Sequence, residues 1–255
     1  MKVCIFVDGE NFRHAIVRLF PQFKQEDYLP YATWADLFDW LVKEVIAEGQ
    51  RIRTYWYVIK VLDFFPYNLP DPAQVVASKE MSARLRAILS KCEDYDTELT
   101  KLEKEAPIEA LNKRMLEMLS ILKKNQVEME RRFKGWTSTQ EGISSKHKGI
   151  EFRRAGAIKC NLFDMSLGSE KAVDVKLATD LITLKDIYDV AIIVSGDQDY
   201  VPAVEEVKDF GKQVVNVAFL TRSGELLPGG ARRLNQITDW HYSVPFENFA
   251  KFLKL

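Results

Sequence analysis

Apolar residues recur with two different spacings along the chain, and these spacings predict strands that alternate with helices. Apolar or alternating runs predict strands at residues 2–7, 51–59, 150–159, 190–194 and 214–219. Apolar positions three and four residues apart predict helices at residues 12–20, 34–48, 172–188 and 200–210. This alternation is typical of an α/β fold in which helices cover both faces of a parallel sheet.

One stretch interrupts the alternation. Between residues 79 and 134 charge is dense, glycine is absent and Pro107 is the single proline. Helical spacing of Leu, Ile and Met predicts two long helices in an antiparallel hairpin that is broken near Pro107. The polar and basic segment 134–149 has no periodicity and predicts a mobile loop. We therefore expect one domain over residues 1–255, with the hairpin and loop inserted at residues 79–149.

Composition narrows the class of protein. The chain has 36 Lys+Arg against 37 Asp+Glu, so a polyanionic partner requires a local basic patch rather than a basic protein. Three isolated cysteines and three histidines disfavour a structural zinc site and are typical of reduced thiols. Since no apolar run approaches the roughly 20 residues that span a bilayer, we expect a soluble, cytoplasmic protein with no membrane partner.

Two acidic motifs each follow a predicted buried strand. The first contains Asp8 and Asn11, and the second contains Ser195, Asp197 and Asp199. Ligands of open α/β sheets bind at the carboxyl ends of strands. If the two strands are neighbours, Asp8 and Asp197 meet at that edge of the sheet.

A third acid, Asp174, lies in the first turn of the helix that precedes the second motif, beside its apolar stripe. Burying a carboxylate there is costly unless it is paired or bound to a metal. Asp180, six residues further on, does not stack beneath Asp174 and is the weaker candidate. Clustered acids repel one another, and Mg²⁺ or Mn²⁺ removes that repulsion while supporting phosphoryl chemistry. The predicted metal ligands are Asp8, Asp174, Asp180, Asp197 and Asp199.

Structural roles compete with these functional ones. Asp8, Asp197 and Asp199 can each serve as a helix cap. Asn11 either caps the first helix or orients a substrate. Ser195 either supports its turn, hydrogen-bonds an acid or contacts the substrate. Because no histidine is placed for a Ser-His-Asp triad, a serine nucleophile is disfavoured.

Cations with interleaved aromatic residues suit single-stranded RNA, through phosphate contacts and base stacking. The candidate substrate-binding cations are Lys146, Lys148, Arg153 and Arg154; the alternative for this region is a solvated linker. A second basic group, Arg222, Arg232 and Arg233, could flank the substrate path. Methionine-containing stripes in the insertion would support a homodimer or a partner interface if the hairpin cannot bury them itself.

Three motifs together resemble the NYN domain, in the LabA-like, DUF88 branch of the PIN-like nucleases. They are residues 6–11, residues 171–175 and residues 194–202, and the resemblance spans about residues 1–60 and 150–220. It implies a three-layer α/β/α sandwich with a central parallel sheet and metal-dependent RNA cleavage. By position it implies an acidic catalytic set, with Asn11 as its polar companion: Asp8, Asp174, Asp197 and Asp199. The family often has Lys-Gly where this chain has Lys171-Ala172, a departure that we expect to alter little.

The resulting expectation is a metal-dependent ribonuclease that cleaves RNA endonucleolytically. A haloacid-dehalogenase-type phosphatase is disfavoured, because Glu10 stands where that family needs a second Asp and because Asp197 and Asp199 are too close together for its later motif. The other alternative is a non-catalytic RNA-binding or regulatory protein that uses the helical insertion as its interaction surface.

Overall fold

A computed structural model describes residues 1–25, 29–229 and 231–253. These residues form two compact units. The sheet unit comprises Met1–Val61, Gly135–Ala157 and Lys171–Leu255, and the helical unit comprises Leu62–Lys134 and Ile158–Glu170.

The described residues form eight strands, ten α-helices and three short 3₁₀ turns. The strands are β1 (Lys2–Asp8), β2 (Gln50–Phe65), β3 (Ile150–Asn161), β4 (Leu167–Lys171), β5 (Val190–Val194), β6 (Gln213–Leu220), β7 (Leu226–Leu227) and β8 (Trp240–Val244). The helices are α1 (Gly9–Leu19), α2 (Trp34–Val45), α3 (Pro72–Ala77), α4 (Lys79–Leu89), α5 (Glu93–Glu105), α6 (Ile108–Lys146), α7 (Val173–Thr183), α8 (Val201–Asp209), α9 (Ala231–Ile237) and α10 (Phe246–Ala250). Short 3₁₀ turns lie at Pro21–Gln25, Lys185–Ile187 and Gln198–Tyr200.

Parallel pairing dominates the sheet unit. β1 pairs in parallel with β2 on one side and with β5 on the other, and β5 pairs in parallel with β6. β6 also pairs in parallel with β8 and antiparallel with β7. Val7 lies opposite Val194, so β1 and β5 end side by side. The strands that precede Asp8 and Asp197 are therefore neighbours in this mixed α/β fold, as the expected proximity of the two acids required.

Both faces of β1 are buried, which explains its uninterrupted apolar sequence. Val3, Ile5 and Val7 pack into a core that contains side chains of α1, α2 and α10. Cys4 and Phe6 point into a second core, which contains side chains of α7 and α8. Because both cores are anchored on the same strand, the positions of α1, α7 and α8 relative to the end of β1 are well defined.

The helical unit contains more helices than the two that the sequence predicted. α3 and α4 begin at side-chain caps, since Asp71 accepts a hydrogen bond from the Ala73 amide and Ser78 accepts one from Met81. α5 and the first part of α6 follow. The methionines of the predicted stripes are buried within the described chain: Met115, Met118 and Met129.

The expectation of a loop at residues 134–149 was wrong over most of its length, because α6 continues to Lys146. Contacts distant in sequence stabilise this end of the helix. Ile143 is buried in the first core, and Arg154 on β3 bonds to Glu141 and to the Thr137 carbonyl oxygen. This part of the helix has no apolar periodicity, because polar contacts and one buried Ile stabilise it.

The departure from the family pattern at Lys171-Ala172 affects the backbone more than we expected. Ala172 has φ 69°, in the left-handed region, immediately before α7. That conformation costs an L-residue about 1–2 kcal/mol and costs glycine almost nothing. The glycine that the family often places here therefore suits the backbone better than Ala172 does. A neighbouring residue, Gly156, could carry no side chain, because its Cβ would lie 1.8 Å from the Lys171 carbonyl oxygen.

Candidate acidic site at the ends of β1 and β5

Asp8 is the most buried of the predicted site residues on β1 and α1, with 2% of its surface exposed. It ends β1 and caps α1, since Oδ1 accepts a hydrogen bond from the Asn11 amide at 3.1 Å. Its Oδ2 accepts three more, from Asn11 Nδ2 at 2.7 Å, Ser195 Oγ at 2.8 Å and the Tyr200 hydroxyl at 3.1 Å. The cap interpretation of Asp8 is therefore confirmed for Oδ1, while three side chains hold Oδ2 in place.

All four groups that donate to Asp8 are neutral. Burial raises the pKa of Asp8 above its ordinary value, and the hydrogen bonds from Asn11, Ser195 and Tyr200 lower it only in part. Among the residues that the structure describes, no Lys, Arg or His forms a hydrogen bond or ion pair with Asp8. A positive charge at this position would favour the ionised form and would relieve the cost of burying it.

The second motif approaches Asp8 from the end of β5. Ser195 is fully buried, donates to Asp8 and accepts a hydrogen bond from the Asp197 amide at 3.0 Å. Asp197 in turn caps the 3₁₀ turn, since its Oδ1 accepts from the Asp199 amide at 2.9 Å. Gly196 is required between them, because a Cβ there would lie 2.6 Å from Cβ of Pro228. Of the three roles considered for Ser195, the geometry matches the support of the acids and the turn.

Tyr200 interacts with acids from both motifs and from α7, and no role was predicted for it from the sequence. Its buried hydroxyl donates to Asp8. Burial, followed by the charge of Asp8, raises the pKa of Tyr200, and the charges of Asp197 and Asp174 raise it further. Asp174 is the second residue of α7, as predicted. Asp8 forms a hydrogen bond with this hydroxyl, whereas Asp174 and Asp197 act on it through their charges.

Two open hollows adjoin this group of acids. A groove of about 570 Å³ between α7 and α8 is lined by Asp174 and by the exposed Asp199. A cavity of about 390 Å³ is lined by Asn11, Gly196, Asp197 and Gln198. Asp199 thus faces the same groove as Asp174, while Asn11 and Asp197 face the cavity.

Asp180 is not brought to this group. It is 3% exposed and accepts hydrogen bonds from the Tyr57 hydroxyl at 3.1 Å and from Lys176 Nζ at 2.7 Å. Arg153 Nη1 lies 3.5 Å from its second oxygen. The sequence offered a signal for the first pair, because Lys176 and Asp180 are four residues apart on a helix. Tyr57 and Arg153 come from neighbouring strands, and no local pattern indicated them.

The predicted RNA-binding cations lie apart from the acids. Arg153 pairs with Glu151 and Asp180 and lies 4.7 Å from the Tyr55 ring centroid, and Arg154 pairs with Glu141. The Lys148 carbonyl oxygen accepts a hydrogen bond from Arg51, which lies opposite Val3 at the amino end of β1. Lys146 ends α6 two residues earlier. These four cations are therefore not assembled around Asp8.

The donor set is suitable for a hard divalent cation, although the acids are not closed around one point. Among the described residues, no group of three or more His, Cys, Asp or Glu side chains is spaced to hold a metal ion. Every candidate ligand is a carboxylate oxygen, which Mg²⁺ and Mn²⁺ prefer. Within the described residues Asp8 Oδ1 accepts one hydrogen bond, so it keeps the capacity for another partner. The residues present fit such an ion chemically.

In open α/β sheets ligands bind at the carboxyl ends of the strands, and the acidic group lies at this edge of the sheet. Residues 113–228 match the sequence model of the NYN domain. This segment is therefore similar to the NYN domain, a family of PIN-like nucleases whose members are generally ribonucleases. The resemblance seen in the motifs is confirmed at the level of the family. The matched segment covers less than half of the chain and includes Asp174, Asp197 and Asp199, while Asp8 precedes it.

The other comparisons add little. No curated protein matches the chain. A crystal structure of a protein of unknown function from Vibrio parahaemolyticus is similar with a TM-score of 0.41 and 15% sequence identity, over 95% of this chain and 92% of that one. In the part of the chain that the structure describes, no helix is long and apolar enough to cross a membrane.

Proposed function

We propose that the chain is a metal-dependent ribonuclease whose reaction takes place at the acidic site. The observation that carries the proposal is the contact between the two acidic motifs at the carboxyl ends of β1 and β5, where Ser195 Oγ and the Tyr200 hydroxyl both donate to the buried Asp8. The NYN domain supports RNA as the substrate. We further propose Mg²⁺ or Mn²⁺ as the ion, single-stranded RNA as the preferred substrate, endonucleolytic cleavage and the PIN-like three-layer arrangement for the sheet unit.

Asp8, Asp174 and Asp197 would hold the ion, and Asp199 would act as a further ligand or through water. A bound divalent ion supplies an activated water and offsets the charge of the phosphodiester. The chain's own residues provide the orientation. Donors from Asn11, Ser195 and Tyr200 fix Asp8 Oδ2, which leaves Oδ1 as the oxygen with free acceptor capacity.

The direct test is cleavage of labelled single-stranded RNA with Mn²⁺ and with EDTA, by the wild type and by Asp197→Asn. The exposed Asp209→Asn on α8 is the matched control. We expect cleavage that requires Mn²⁺ and falls roughly a thousandfold in Asp197→Asn, because several kcal/mol of charge stabilisation is lost. Cleavage by Asp209→Asn should equal that of the wild type.

Two further readouts separate the parts of the proposal. Mn²⁺ should raise the melting temperature of the wild type and of Asp209→Asn but not of Asp197→Asn, since ligands that bind the folded state stabilise it. Circular RNA, which has no ends, should be linearised if cleavage is endonucleolytic. Intact RNA with every substrate, or equal cleavage by the two variants, would refute the assignment of these acids.

A further inference from the structure

The groove and the cavity that adjoin the acidic site differ sharply in charge. The groove between α7 and α8 has an apolar floor that includes Val175, Ala178 and Ile182. Three carboxylates lie along its walls: Asp174, Asp199 and Glu206. A phosphate group in this groove would face negative charge from both helices, and no Lys or Arg is among its described lining residues.

The cavity on the other side of Asp197 is polar and has one acid among its lining residues. It is lined by Asn11, Gly196, Asp197 and Gln198. Its edge is extended by α9, which contacts the 3₁₀ turn at Gln198–Tyr200. Arg233 on α9 donates through Nη1 to Gln198 Oε1 at 3.4 Å. This contact brings a guanidinium group to the edge of the cavity.

The guanidinium group of Arg233 has one weak hydrogen-bond partner among the described residues. It is exposed, and among the described residues no carboxylate forms an ion pair with it. Its contact with Gln198 is long and its acceptor is neutral, so little is lost when the guanidinium exchanges this partner for a charged one. A phosphate is such a partner, since its oxygens match the planar fork of arginine. The adjacent Arg232 is also exposed, and among the described residues it forms no hydrogen bond with Gln198.

We propose that the RNA backbone reaches the acidic site through the cavity on the α9 side, where Arg233 contacts a phosphate beside the scissile bond. The α7–α8 groove is then not part of the phosphate path. This inference rests on the proposed ribonuclease function and deepens it, because it assigns a side of entry and a substrate-contacting residue outside the acidic set.

The test compares Arg233→Gln with Arg232→Gln as the matched control, and with Glu206→Gln in the opposite groove. Binding of an end-labelled oligouridylate is measured in EDTA over a range of salt concentrations, and cleavage is measured with Mn²⁺. For Arg233→Gln we expect several-fold weaker binding, a several-fold higher KM, and a log affinity against log salt slope that is shallower by about 0.7, the value for one lost contact to a single strand. Arg232→Gln should leave the slope unchanged, and Glu206→Gln should bind RNA at least as tightly as the wild type.

Arg233→Lys keeps the charge and should recover part of the salt slope, which an effect on folding would not do. The inference is overturned if the wild type binds and cleaves RNA while Arg233→Gln and Arg232→Gln behave alike, or if Glu206→Gln loses as much affinity as Arg233→Gln. In either case the ribonuclease proposal stands. If the wild type neither binds nor cleaves RNA, both proposals fail together.

Discussion

Two aspartates of the sheet unit are buried to nearly the same extent and are surrounded by opposite kinds of partners. Asp8 is 2% exposed and Asp180 is 3% exposed. Every group that donates to Asp8 is neutral, namely Asn11, Ser195 and Tyr200. Asp180 forms ion pairs with Lys176 and Arg153 and accepts a hydrogen bond from the Tyr57 hydroxyl.

This difference shows how the surroundings of a buried carboxylate decide its role. Lys176 and Arg153 neutralise Asp180, which thereby links α7 to β2 and β3. Asp8 has no such compensation, burial raises its pKa, and two more acids act on the hydroxyl that it accepts from. An acidic group left without a cation is unfavourable for stability and is suited to bind one.

Removal of Asp180 should have the largest effect on stability. Breaking a buried ion pair costs about 3–5 kcal/mol when both partners are sequestered. The Lys176 and Arg153 side chains are 39% and 28% exposed and can turn to water, so we expect Asp180→Leu to lose about 2 kcal/mol of unfolding free energy. Urea denaturation measures this loss.

The matching variant at the acidic site is Asp8→Asn, whose stability is measured by the same urea denaturation. It should retain most of the stability and lose metal-dependent cleavage, whereas Asp180→Asn should keep its cleavage under conditions in which it remains folded. If Asp180→Asn were as stable as the wild type but inactive, Asp180 would belong with the catalytic acids and the contrast with Asp8 would fail.

Two tyrosines provide a sharper form of the comparison, because each donates its hydroxyl to one of these aspartates at 3.1 Å. Tyr200→Phe and Tyr57→Phe should each lose about 1 kcal/mol of stability, the typical contribution of one hydrogen bond. Only Tyr200→Phe should also lower Mn²⁺ affinity and cleavage, by about 10–100-fold, since it orients a proposed ligand. Calorimetric titration with Mn²⁺ distinguishes the two, and equal Mn²⁺ affinities would remove Tyr200 from the site.

The smallest effect concerns pH. Because the pKa of Asp8 is raised in the folded state, the folded protein holds this proton more tightly than the unfolded chain does. The Asp8 contribution to stability is therefore fully present below the ordinary pKa of Asp, and it is lost as pH rises through the raised pKa. In EDTA, the stability of the wild type relative to Asp8→Asn should fall as pH rises through that interval. If this relative stability rose with pH instead, the hydrogen bonds to Asp8 would lower its pKa by more than burial raises it.

Local patterns predicted much of the sheet unit. Apolar runs gave the positions of β1, β5 and β6 to within one residue at either end. The acidic motifs were placed correctly at the ends of β1 and β5, because a buried strand followed by Asp and Gly is a local signal. β8, α9 and α10 carried weaker signals and were missed, and α9 supplies Arg233.

The sequence by itself determined which strands are buried on both faces, where they end in carboxylates, and that the chain carries the motifs of an NYN domain. Hydrophobic period and motif spacing are properties of neighbouring residues, so they can be recognised without the fold. Only the tertiary structure decided that Asp8 is held by neutral donors and Asp180 by cations. Those partners come from strands and helices far apart in the chain, and burial and charge compensation depend on what the fold brings together.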